Sequence, residues 1–348
     1  VTEILLDTIQ NLPKVELHRH LEGSMRIQTL LDIAQKNDRE LANLTVEELR
    51  PHVQMVPGQA FTSEEFLRKF KTLRQFYNSP ETIRRITKEV VEDAAADNVR
   101  YMELRFTPRA LTNVLHCSYA DVMDWVCGTV RKTAAQLDID VRLIVSMNRH
   151  ESVEIGEEVL NVAIDHRDQG VVGIDLAGAE ASYSCKPFAR IFQRARANGL
   201  FTTIHAGEWA GPNSVRDAIV ELSADRIGHG IRATEDSQCL KLLVERGTVL
   251  EVCPTSNLHS GVVTELTKHQ LINLYRAGVR TTVNTDDPLI SNITLTTELL
   301  DVMLDMKFTL DDIKRNILNA AAGAFLPQDE RNALVKQFEG WFAKEQDS

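Results

Sequence analysis

Eight short strand-like runs, alternating with helical patterns, set the tightest limit on what this chain can fold into. They are Val15 to His20, Arg100 to Phe106, Val141 to Met147, Val171 to Leu176, Leu200 to Ile204, Arg226 to Gly228, Thr248 to Val252 and Arg280 to Asn284. Gly170, Gly199, Gly247 and Gly278 each precede a run by one or two residues, where a left-handed residue ends the helix before it. Alternating β and α units imply a parallel sheet with right-handed crossovers. Eight units favour a closed (β/α)8 TIM barrel over an open sheet, and no G-x-G-x-x-G follows a run, which argues against a dinucleotide fold. The 348 residues are therefore expected to form a single α/β domain over 1–348, since barrels of this length need no second domain.

One connection breaks the pattern. About eighty residues separate the first run from the second, too many for a plain barrel crossover, so a helical excursion is expected at about 24–98. Ile27 to Ile33 reads as a short helix, followed by a loop region around Pro51 and Pro57. Thr62-Ser63-Glu64-Glu65 reads as a capping box opening a helix with Phe66, Phe70, Leu73 and Phe76 on one face. Ser79-Pro80 opens another, with Ile83, Ile86, Val90 and Ala94 as its apolar stripe. The excursion is long enough to cover a site or simply to add core. From Thr309 on, extra C-terminal helices are expected to close the barrel.

Composition narrows the class. A net charge of −11 disfavours a nucleic-acid partner, which needs a basic footprint. No charge-free apolar run reaches transmembrane length, and the first residues lack a basic signal-peptide n-region. Cys117, Cys127, Cys185, Cys239 and Cys253 form no C-x-x-C and are odd in number, which argues against a disulfide framework and a thiolate zinc site. The expectation is a reduced, cytoplasmic protein with no membrane partner.

In a TIM barrel the active site lies at the C-terminal ends of the strands. Five of the eight runs deliver a His or an acid there: His18 and His20, Asp175, His205 with Glu208, His229, and Asp286-Asp287. On a strand, period-2 alternation points His18 and His20 to one side, and two converging imidazoles are half of a divalent-metal site. Arg19, between them, points away.

Together, His18-Arg19-His20-Leu21-Glu22-Gly23, Asp175-Leu176-Ala177-Gly178, His205-Ala206-Gly207-Glu208, Gly228-His229-Gly230 and Asn284-Thr285-Asp286-Asp287-Pro288 resemble the adenosine deaminase family of the amidohydrolase superfamily. The resemblance implies one catalytic Zn2+ per chain, held by His18, His20, His205 and Asp286. It implies Glu208 as proton donor to the purine and His229 as the group that orients and deprotonates the attacking water. It also implies that Asp287 meets ring nitrogen N7 and that the Gly178 backbone donates to N3. Related barrels hold two metals through a bridging Lys on strand four; Asp175 stands here instead, which favours a mononuclear site. Asp175 receives no chemical role, and Cys253 reads as packing.

Two positions depart from the family's usual pattern. Glu22 stands where Asp commonly reaches the ribose 5′-hydroxyl, and Ala179 stands where an acid is common. The implied activity is deamination of adenosine and 2′-deoxyadenosine. The alternatives are free adenine, a 5′-modified adenosine such as aminodeoxyfutalosine, or a non-catalytic zinc-bearing purine binder. A carboxylate at Glu22 would repel a 5′-phosphate by roughly 4 kcal/mol at ~4 Å and an effective dielectric near 20. No cation beside the strand-end motifs offsets it, so AMP is expected to be refused.

Overall fold

The computed structural model describes residues 2–37 and 40–346, so Val1, Asp38, Arg39, Asp347 and Ser348 of the expected 1–348 domain lie outside the described residues. The eight strands form where the apolar runs predict them. They are β1 (Lys14–His20), β2 (Val99–Phe106), β3 (Asp140–Asn148), β4 (Val171–Ala177), β5 (Phe201–Ala206), β6 (Arg226–His229), β7 (Val249–Val252) and β8 (Arg280–Val283). All neighbours pair in parallel, in sequence order from β1 to β8. Arg19 bridges to Asp286 just beyond β8, which brings the two ends of the sheet together at the strands' C-terminal rim. Gly170, Gly199, Gly247 and Gly278 all take positive φ, the left-handed turn that lets each helix stop and the next strand begin.

The excursion after β1 is helical, with helices at Ile27–Lys36, Val46–Val53, Ser63–Leu73 and Pro80–Ala96. Ser79 caps the last of these by accepting from Thr82 N, with Pro80 at its first position, and Ile83, Ile86, Val90 and Ala94 are buried. Two details differ from the sequence reading. Pro51 lies inside the Val46–Val53 helix rather than in a loop, because Thr45 and Glu48 build a complete capping box just upstream and Pro51 enters only two residues before the helix ends. At Thr62 only the forward half of the capping box forms: Thr62 accepts from Glu65 N, while the Glu65 carboxylate pairs with Arg68 instead.

The barrel interior is not wholly apolar. Glu103, Arg105, Asp175 and Glu251 are fully buried, and Arg226 nearly so. Arg226 bridges Glu103 and Glu251 and lies over the Phe325 ring, 3.4 Å from its centroid. Arg105 donates to Glu251 Oε2 at 2.7 Å and to Leu17 O at 2.7 Å. Each charge faces an opposite one, as buried ions must.

Beyond β8, helices Leu295–Met306, Leu310–Gly323 and Gln328–Gln346 close the structure. Thr309 and Asp312 form a full capping box at the start of Leu310–Gly323, which buries Ile313, Ile317, Ala320 and Ala321. Thr309→Ala should therefore lower the unfolding free energy by about 0.5–2 kcal/mol in urea melts, the usual worth of an N-cap, with no change in metal content.

Candidate active site

The bonds that join the two ends of the barrel also place its strongest ligand cluster. His20 N–H donates to Asp286 O at 2.8 Å, and Asp286 N–H donates to His18 O at 2.9 Å. Asp286 takes φ 61° and His229 φ 63°, left-handed values that non-glycine residues rarely adopt. The side chains then converge. Asp286 Oδ1 lies 3.2 Å from His18 Nε2 and 3.3 Å from His20 Nε2, which is 3.3 Å from His205 Nε2. Four donor atoms, three imidazole and one carboxylate, lie within 4.8 Å of one another.

Their chemistry fits a divalent cation. Glu251 Oε2 holds His18 Nδ1 at 2.8 Å, and Asp175 Oδ1 holds His205 Nδ1 at 2.9 Å. A carboxylate on Nδ1 fixes the proton there and leaves the Nε2 lone pair facing inward, as zinc requires. His18 Nε2 is buried without a hydrogen-bond partner. Burial would raise Glu251, yet Arg105 and Arg226 hold its carboxyl well below the usual range. Asp175, against the same cost of burial, is lowered by His205 and Arg105. A second grouping, His18, His229, Cys253 and Asp286, shares two members with the first, so both cannot be filled separately. Burial pushes the Cys253 thiol well above its ordinary value, which favours the set of three imidazoles and one carboxylate and a single metal.

Around this cluster opens a cavity of about 150 Å3 whose walls include Glu22, Gly178, Glu208, His229 and Asp287. Burial raises the Glu208 carboxyl well above its ordinary value, helped by the charges of Asp286 and Glu180. Burial likewise raises Asp287, with Asp286, Glu22 and Glu208 pressing the same way. His229 Nε2 lies 3.6 Å from Glu208 Oε2; burial and the neighbouring histidines lower its pKa well below the ordinary value. Gly178 takes φ +91°, and a Cβ there would come within 2.6 Å of His150 Nδ1. Glu22 Oε1 accepts from Thr107 N at 2.6 Å, while its buried Oε2 has no partner.

The helical excursion covers the cavity: Phe66, Leu67, Phe70 and Arg74 line it. Arg74 alters the sequence reading, which saw no cation near Glu22, because nothing in strand-end motifs reveals a side chain delivered from fifty residues away. Arg19 does point elsewhere, into a separate cleft of about 530 Å3 that contains none of the four metal-facing residues. Glu180 was also missed. Its two carboxylate oxygens accept the backbone N–H groups of Gly207, Glu208, Trp209 and Ala210, at 2.5 to 3.1 Å, and so pin the loop that carries Glu208. Asp175, given no role from sequence, orients His205, one of the four clustered donors.

Gly23 lies hard against the rim segment after β8 and accepts from Leu289 N–H at 2.8 Å. A Cβ on it would stand 1.8 Å from Asp287 Oδ1, so only glycine leaves Asp287 its place. Gly23→Ala is expected to displace Asp287 and lower kcat/KM by about 10²-fold, the cost of misplacing a reacting group, while elemental analysis finds metal content unchanged.

The sequence profile of the family described as Adenosine deaminase matches residues 13–341. An adenosine deaminase of Clostridium perfringens is 33% identical over 328 residues, covering 93% of this chain and 97% of the relative. Among solved structures, the adenine deaminase of Arthrobacter aurescens superposes with a TM-score of 0.87 at 26% identity, covering 95% of this chain and 99% of the other. The N6-methyl-AMP deaminase of Arabidopsis thaliana gives a TM-score of 0.84 at 28% identity, covering 96% and 98%. A barrel of this topology, a rim that gathers three histidines and an aspartate, and a profile match across nearly the whole length have one reading: the chain belongs to the adenosine deaminase family of the metal-dependent amidohydrolases.

Proposed function

We propose that this chain hydrolyses the 6-amino group of a purine nucleoside, adenosine and 2′-deoxyadenosine among them, releasing ammonia. One observation carries the reading: two carboxyls beside the metal-ligand cluster, Glu208 and Asp287, are both biased toward their protonated forms. A 6-aminopurine presents lone pairs at N1 and N7, which only donors can meet. Zinc at the four-donor set supplies acidified water near neutral pH. Glu208 would give its proton to N1 as the water's oxygen adds at C6, and the proton of the new C6 hydroxyl would pass to the departing amine, which leaves as ammonia. Asp287 shares its proton with N7, and the Gly178 backbone faces N3. His229, with Nε2 3.6 Å from Glu208 Oε2, would orient the attacking oxygen. A binder without catalysis would need Glu208 only to donate to N1 and would gain nothing from setting that acid beside a metal-ligand cluster.

The relatives named above act, by their names, on adenosine, adenine and N6-methyl-AMP, so they share a ring and differ beyond it. On this chain the unpartnered Glu22 Oε2 in the cavity wall favours a nucleoside over the free base, because a sugar hydroxyl can donate to it. A second reading, a nucleoside with an anionic 5′ substituent, is favoured by Arg74, a cavity-lining cation that has no ion-pair partner among the described residues. The expected refusal of AMP rested on a mouth without cations, and Arg74 removes that premise.

Two measurements test the proposal. Loss of ultraviolet absorbance on deamination should be seen with adenosine, and Glu208→Gln should lower kcat at least ~10²-fold while retaining its zinc, because general acid catalysis is worth that much. No turnover of any 6-aminopurine by the zinc-loaded protein would overturn the assignment. Glu22→Ala should cost adenosine about 1.5–3 kcal/mol in kcat/KM, the worth of a charge-assisted hydrogen bond, and leave free adenine nearly unchanged. Equal losses for both would place Glu22 away from the sugar.

A further inference from the structure

A backbone N–H has only one hydrogen-bonding polarity, and behind the active site one such group fixes the polarity of a whole chain of side chains. Leu271 N–H donates to His269 Nδ1 at 3.0 Å, so that nitrogen carries no proton. The ring is buried, which lowers its pKa to about 3, and a neutral imidazole with a bare Nδ1 must carry its hydrogen on Nε2. His269 Nε2 lies 3.2 Å from Asn257 Oδ1, so Nε2–H donates and Oδ1 accepts. The orientation of the Asn257 amide follows. Its Nδ2 hydrogens point the other way, one toward His229 Nδ1 at 3.1 Å and one toward Glu208 Oε1 at 3.4 Å. His229 Nδ1 is therefore an acceptor, and the proton of the neutral ring sits on Nε2, the nitrogen that faces Glu208 Oε2 and Asp286 Oδ2 at 3.6 and 3.9 Å. Glu208 Oε1 also receives Ser260 Oγ at 3.4 Å, which leaves Oε2 as the oxygen that carries the acid's proton.

We infer that His269 and Asn257 are positioning residues that set the tautomer of His229, making its Nε2–H a donor into the site rather than a base. Neither residue touches the cavity: both act through His229 and Glu208. One amide thus aims two groups at once, the imidazole N–H at the attacking oxygen and the carboxylic proton at the ring. This changes the role implied by the sequence, in which His229 both orients and deprotonates the water. In the resting enzyme it can only orient. The catalytic meaning rests on the deamination proposed above, whereas the tautomer does not.

The test reads the tautomer directly. In zinc-loaded protein with 15N-labelled histidine rings, long-range proton–nitrogen correlations should show His229 protonated at Nε2 and bare at Nδ1, assigned by the signal lost in His229→Gln. Asn257→Asp replaces the donor by an acceptor. It should move the His229 proton to Nδ1 and lower kcat/KM by about 10²-fold or more, as a wrong tautomer does in other histidine-dependent sites. His269→Gln can still accept from Leu271 and donate to Asn257, so it should keep the His229 pattern, while His269→Phe should yield both tautomers. A wild-type ring protonated at Nδ1, or an Asn257→Asp protein with an unchanged pattern, would overturn the inference. Should Asn257→Asp fail to fold, the wild-type spectrum and the His269 pair still decide it. A protein with the expected pattern but no deaminase activity would retain the relay and remove the function.

Discussion

The hydrogen bonds between β1 and the residues after β8 are the constraint on which the rest depends. They complete the barrel, and they are made by the peptide groups of His18, His20 and Asp286, whose side chains form three of the four donors of the metal cluster. Barrel closure and assembly of the site are therefore one event. The left-handed backbone at Asp286 is part of this arrangement: an extended residue there would carry the carboxylate along the strand instead of across the mouth. Such conformations cost of order 1–3 kcal/mol and persist only where the surroundings over-determine them. Here the bonds on both sides of the peptide do so.

Beneath the mouth, charge replaces the layers of branched apolar side chains usual inside a TIM barrel. Arg105 and Arg226 are sandwiched among Glu103, Asp175 and Glu251, with essentially no solvent exposure. Desolvating so many ions consumes most of what their attraction returns, so the network is a weak source of stability. Its value is directional. Arg105 and Arg226 keep Glu251 ionised, His205 and Arg105 do the same for Asp175, and the two carboxylates hold His18 and His205 each in one tautomer. Removing one member would leave a buried charge unpaired at about 3–5 kcal/mol.

Much of this was legible in the chain. The strands were readable because apolar runs between glycine-ended helices have few alternatives, and the rim because histidines and acids interrupt those runs at their ends, while the choice of His18, His20, His205 and Asp286 among them came from the family resemblance. What escaped was whatever depends on distant parts of the fold. Glu251 sits in β7 and Arg105 in β2, and only closure of the barrel brings them to His18. Arg74 reaches the cavity from a helical region whose position over the mouth is tertiary. The Val46–Val53 helix was missed because Pro51 reads locally as a breaker, although the Thr45–Glu48 box outweighs it. His269 lies after a short helical turn with no pattern around it, and its polarity is visible only once Leu271 N–H is located.

Glu180 bears on what the mouth can recognise. Four consecutive peptide N–H groups converging on one point form a natural anion hole, the kind of nest in which many proteins seat a phosphate. Here the hole is already filled, through hydrogen bonds, by the chain's own carboxylate. The backbone of the loop after β5 thus has none of these four N–H groups left to offer a substrate, and only its side chains, Glu208 among them, face the cavity. Discrimination between neutral and charged ligands is left to side chains, Glu22 after β1 and Arg74 from the helical excursion.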